Sequence, residues 1–143
     1  MDWITESIAI GNYLDAENEE LRRANDIRSM LCLNGKWRGV RPESIQLDAL
    51  DTYDLQDGPG NNPDIFRRAV ESVGRLSRLH PKLLVQCHAG RSRSVIVVVA
   101  HLMRTRGWSA RETLSFVASK REIALTPGIE SLLEVPFLRV AAP

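Results

Sequence analysis

Cys87 and Arg93 are separated by five residues, and the stretch that holds them, LLVQCHAGRSRSV (83–95), also carries Gly90, Ser92 and Ser94. The apolar run that stops at Cys87 reads as a buried strand, and the run beyond Ser92 reads as a helix. His88, Ala89, Gly90, Arg91 and Ser92 then form a strand-to-helix loop beside a helix N-terminus. Such a loop turns unpaired backbone N–H groups and the positive end of the helix dipole toward one point, which makes an anion site. Gly90 permits the tight turn and brings backbone close to a ligand. Arg93 presents a planar fork that grips two phosphate oxygens, as a lysine could not. The same field favours the thiolate of Cys87. A thiolate at the floor of a phosphate cradle is a nucleophile aimed at phosphorus.

The elements that must position this loop follow from periodicity and turn residues. SIAIGN (7–12) alternates and stops at Gly11-Asn12, which predicts a strand. Asp15 to Asn25 predicts one short, polar-faced helix. IRSMLCLNG (27–35) predicts a buried strand ended by Asn34-Gly35, and SIQLDAL (44–50) a further strand. YDLQDGPGNNPD (53–64), with two glycines and two prolines, is a loop. Ile65, Phe66, Ala69, Val70, Val73 and Leu76 recur at helical spacing over 64–79. KLLVQC (82–87) predicts a buried strand. In 92–107 the valines favour a strand locally, but the length, Gly107 and the late Arg104 and Arg106 favour a buried helix, and helix is expected. SARE (109–112) is a capping box opening a helix to about Lys120. A last short helix is expected after Gly128. This order predicts an α/β fold, one sheet with helices packed on it.

VQCHAGRSRSV resembles the signature loop of the cysteine-based protein tyrosine phosphatase superfamily, in its dual-specificity branch, whose usual form is HC-x-x-G-x-S-R-S. Cys87, Gly90, Ser92, Arg93 and Ser94 match; Gln86 stands where the family has His. The likeness extends over nearly the whole chain. ITESIAIGNYLDAEN is similar to the family's first strand, turn and helix. SKREIALTP is similar to the segment after its late helix, with Thr126 near a position that often holds an Asn touching the loop. The family's general acid lies about 30 residues upstream on a mobile loop, which implies Asp57, followed here by Gly58-Pro59-Gly60; Asp48, Asp51, Asp54 and Asp64 are its rivals.

The resemblance implies a central, mostly parallel sheet of about four to five strands flanked by helices. It implies a single catalytic domain over 1–143 that hydrolyses phosphotyrosine, and phosphoserine or phosphothreonine, through a phosphocysteine. Cys87 attacks, Arg93 and the amides of 88–93 hold the oxygens, Asp57 moves the proton and Ser94 assists the departing sulfur. No metal or other cofactor is implied, and phosphate or sulfate is expected to occupy the loop. Relatives of the fold act on phosphoinositides, RNA 5′-ends or phosphorylated sugars, so a non-protein substrate is one alternative. A catalytically weak phosphate-binding module is a second, and a sulfur-transfer enzyme a third.

The bulk numbers are consistent with this. The 143 residues, 43% hydrophobic and 26% charged, suit one soluble domain. A net charge of +1 argues against a dedicated nucleic-acid binder. The two cysteines, Cys32 and Cys87, make neither a zinc spacing nor a disulfide framework, so Cys32 is expected in the core. The polar, acidic start predicts no secretory leader, and Val95–Ala100 is too short to span a bilayer, so a cytoplasmic, monomeric protein away from membranes is expected. Arg91 and His88 are either solvated or line the mouth of the loop, where they would help select acidic substrates. His80 and His101 are expected to be structural.

Overall fold

The computed structural model describes residues 1–139. Five short strands, β1 (Asp2–Trp3), β2 (Ile8–Gly11), β3 (Ser29–Cys32), β4 (Ala49–Thr52) and β5 (Leu83–Gln86), form one sheet in the order β1-β2-β5-β3-β4. β1 pairs antiparallel with β2, and every other pair is parallel. The sheet is therefore mostly parallel, as expected, with β5 at its centre. Sequence reading missed β1, because two residues carry no periodicity.

Alternation along the strands splits the core into two layers. Ile8, Ile10, Leu31, Leu33, Leu83, Val85 and Cys87 face one side, packed with α3 (Pro63–Leu79), α4 (Arg93–Arg106) and α5 (Ala110–Lys120). Ala9, Met30, Cys32 and Leu84 face the other, with Ala16, Ile27 and Leu47. The 92–107 ambiguity resolves as α4. Val95 through Ala100 are all buried, so this stretch of the helix is apolar all round and sits inside the domain. Each of Val95, Val97, Val98 and Val99 costs up to about 0.7 kcal/mol in helix propensity, but its burial contributes about 1.5–3 kcal/mol. Packing wins over propensity. Gly107 closes the helix in the left-handed region at φ +68.

Two expectations need correction. The single helix over 15–25 is two, α1 (Tyr13–Glu17) and α2 (Glu19–Ala24), broken at Asn18. Asn18 ends α1 by donating its N–H to the Asp15 carbonyl at 3.3 Å, and starts α2 by accepting from Leu21 N–H at 3.0 Å. The strand expected at 44–50 is displaced. Pro42–Ile45 is a 3₁₀ turn with proline at its start, Gln46 leaves it at φ +62, and pairing begins only at Ala49. After Gly128 there are two 3₁₀ turns, Ile129–Glu134 and Pro136–Arg139, rather than one helix; Leu132, Leu133 and Leu138 seat them on the first core layer.

Candidate active site

The carboxyl ends of β2, β3, β4 and β5 meet at one edge of the sheet, where loops in parallel folds carry ligands. Cys87 follows β5 and is 2% exposed. Its Sγ lies 3.2 Å from Ser94 Oγ and accepts the Ser94 backbone N–H at 3.4 Å. That amide is one of the orphan donors of the first turn of α4. Ser92, at the N-cap, does not use its side chain to cap the helix; its Oγ accepts the Thr126 N–H at 3.0 Å instead.

Loop carbonyls are held outward by three separate donors. Tyr13 N–H donates to His88 O at 3.1 Å, Arg121 Nε to Gly90 O at 2.6 Å and Ala124 N–H to Arg91 O at 3.0 Å. No acceptor among the described residues meets the backbone N–H groups of 88–93. Gly90 is buried at φ +68, and a Cβ there would lie 2.5 Å from the Gly11 carbonyl oxygen, so only glycine fits. Arg93 donates from Nη1 to Leu55 O at 3.2 Å, while its Nε is buried without a partner.

His88, Ala89 and Arg91 are exposed at the mouth. The His88 ring stacks on Tyr13 at 4.5 Å with 6° between planes, and Arg91 reaches Glu122 at 3.9 Å. Asp57 is exposed on the loop after β4, two residues beyond Leu55, whose carbonyl Arg93 holds. This loop leans on the 126–128 segment: a Cβ at Gly58 would lie 3.7 Å from Thr126 Cγ2, and one at Gly128 would lie 2.9 Å from Pro59. Thr126 thus bonds Ser92 through its backbone, and its methyl group faces Gly58. Among the rivals, Asp51 pairs with Arg75, and Asp54 lies against Gly35 in the bridge with Asn34.

Gln86 is fully buried and sits on the second core layer, in register with Cys32. Its Nε2 donates to Asn34 Oδ1 at 3.3 Å. Cys32 is a core thiol as expected: burial pushes it up to about 12, opposed weakly by the Gln86 hydrogen bond. Sequence reading took Gly11 only as a turn residue and did not single out Asp2 or Arg121. Asp2 pairs with Arg121 Nη1 at 2.7 Å. The signal available for Arg121 was a cation just past a helix, which is indistinguishable in sequence from a solvated one.

The model of the dual specificity phosphatase catalytic domain matches residues 47–135. The chain belongs to this family. Among relatives of this phosphatase-family chain, dual specificity protein phosphatase 1 of Arabidopsis thaliana is 27% identical over 85% of the chain and 60% of its own length. Phosphatidylglycerophosphatase and protein-tyrosine phosphatase 1 of Rattus norvegicus is 28% identical over 78% of the chain and 56% of its own length. The chain thus spans little more than half of these curated relatives. In solved structures, the human tyrosine phosphatase-like serine/threonine/tyrosine-interacting protein superposes with a TM-score of 0.78 at 25% identity, covering 94% of this chain and 93% of that one. Human DUSP28 gives 0.80 at 24% identity over 94% and 93%, and confirms the fold.

Proposed function

We propose that this chain, as a single catalytic domain, hydrolyses phosphate monoesters on protein tyrosine, and on serine and threonine, by way of a phosphocysteine. The observation that carries the reading is the set of amides in the loop between Cys87 and Ser94 that meet no acceptor among the described residues. A phosphoryl group seated there meets those amides, and one of its oxygens supplies the acceptor that Arg93 Nε lacks. Cys87 thiolate attacks phosphorus in line and the ester oxygen leaves, taking a proton from Asp57. Water then attacks the phosphocysteine, gives its proton to Asp57 and releases inorganic phosphate. The Ser94 hydroxyl donates to the departing sulfur. Positive charge on Arg93 and the helix N-terminus neutralises the equatorial oxygens throughout.

The test is hydrolysis of p-nitrophenyl phosphate in EDTA, beside Cys87→Ser and with vanadate. Turnover that disappears in both controls supports the reading. Absence of turnover between pH 5 and 8 in folded, reduced protein overturns it and leaves a phosphate-binding module. The name of the rat relative favours a second reading, a phospholipid monoester, which anionic vesicles assayed alongside phosphopeptides would separate.

A further inference from the structure

α3 leads into the amino end of β5 and α4 leaves its carboxyl end, so both helices finish at the edge of the sheet away from Cys87. Between their later turns lies an open cavity of about 390 Å³, bordered by Val70, Gly74, Arg75, Arg78, His101 and Arg104. A cleft of that size takes a small organic molecule. Its charge is lopsided. Against the three arginines stands Glu71, and Arg67 already holds Glu71 at 3.6 Å. Asp51 takes Arg75, and Arg104 lies over the Phe137 ring at 5.1 Å. Arg78 is exposed and joins no ion pair among the described residues.

His101 forms the wall opposite Gly74. A Cβ on Gly74 would lie 3.6 Å from the ring's Cε1 and 3.7 Å from its Nδ1. Those are ordinary contact distances, so alanine would fit, and alanine suits a helix interior better than glycine does. Glycine here leaves the edge of the ring uncovered. The ring nitrogens bond no described residue. Burial, then Arg106 and Arg104, hold the imidazole uncharged at neutral pH, and a neutral imidazole still has one N–H to donate.

We propose that the cavity between α3 and α4 is a second ligand site, remote from Cys87, for a small organic anion: a compact molecule bearing two or more carboxylate or phosphate groups. One acidic group meets the Arg78 guanidinium at the rim, and another accepts the N–H of His101 inside. None of these residues belongs to the loop of 87–94, so the site stands apart from the phosphatase reading and its test does not depend on turnover.

The experiment titrates citrate into the full chain at neutral pH, with sodium chloride at matched ionic strength as the control. The chain has three histidines, His80, His88 and His101, so its imidazole ¹H–¹³C spectrum is simple, and His101→Asn identifies the His101 signals. The expected result is a saturable movement of the His101 signals that chloride does not reproduce. Arg78→Gln should weaken that binding up to about fivefold, the share of one exposed ion pair. Gly74→Ala should raise the melting temperature by about 2–4 °C and still weaken citrate binding, which separates loss of the site from loss of the fold. Inorganic phosphate, titrated in the same way, shows which acidic group the cavity favours, while His88, next to Cys87, reports filling of the phosphate loop in the same spectra. His101 signals that stay still under both citrate and phosphate, or that move equally with chloride, overturn the site. So does unchanged citrate affinity in Arg78→Gln and Gly74→Ala.

Discussion

Arg121 donates from Nε to the Gly90 carbonyl at 2.6 Å while its Nη1 pairs with Asp2 at 2.7 Å, and its side chain is 9% exposed. A guanidinium is thereby locked behind the phosphate loop, on the side away from the ligand, where it keeps one peptide unit turned with its N–H inward. The geometry uses two edges of the planar fork at once, which an ammonium cannot reproduce.

Arg121→Lys is therefore expected to lower kcat/KM for p-nitrophenyl phosphate about tenfold with a loss of melting temperature of a few degrees. The figure follows from the 1.5–3 kcal/mol of a hydrogen bond to a charged group. Vanadate affinity should fall in parallel. Unchanged vanadate binding in a destabilised variant would show that Arg121 serves the fold alone.

Gly90→Ala places a methyl group 2.5 Å from the Gly11 oxygen, in backbone at φ +68 that costs a non-glycine residue about 1–2 kcal/mol. The loop must shift away from β2. Activity is expected to drop more than a hundredfold, with far-UV circular dichroism unchanged at 25 °C. Retention of a tenth of wild-type turnover would mean the loop tolerates that shift.

Asp57→Asn is expected to cost roughly 10²–10⁴-fold on phenyl phosphate, whose leaving group needs a proton, and much less on p-nitrophenyl phosphate. An equal loss on both substrates would assign Asp57 another task and return attention to Asp54. Ser94→Ala should slow the second chemical step, seen as a burst of p-nitrophenol in rapid-quench traces followed by a slower steady state.

His101 predicts a pH effect on stability. Its ring lies 3.6 Å from where a Cβ on Gly74 would be, between α3 and α4. Burial, then Arg106 and Arg104, push its imidazole down to about 4. The unfolded chain, near 6.5, takes up a proton over a range where the fold does not. Stability present above pH 6.5 therefore drains as the pH falls toward 4, by up to about 3 kcal/mol. Urea melts of wild type and His101→Asn at pH 7 and 4.5 check this; parallel losses in both proteins would place the acid sensitivity elsewhere.

The nucleophile's loop was legible in sequence because its chemistry is local: Cys87, Gly90, Arg93 and Ser94 lie within eight consecutive residues. α3 and α5 were legible too, one through its apolar spacing and the other through the Ser109–Glu112 capping box, both of which the structure contains. What stayed hidden depends on distance along the chain. Neither the fit of Gly11 against Gly90 nor the pairing of Asp2 with Arg121 has a pattern within any window of residues. The Asn18 break was hidden for a different reason: one asparagine acts as a stop and a start at once. Gln86 looked like a site substitution, and alternation places it on the opposite face of the sheet, against Cys32.

The pairing of Asp2 with Arg121 joins residues 119 positions apart. Closing so long a stretch carries a high chain-entropy cost, and contacts of that range form late in folding. The phosphate loop is therefore finished only after the sheet and the late helices have come together. On refolding from urea, secondary structure should return before the ability to hold vanadate does, and under mild denaturation the loop is the part of the molecule that lets go first.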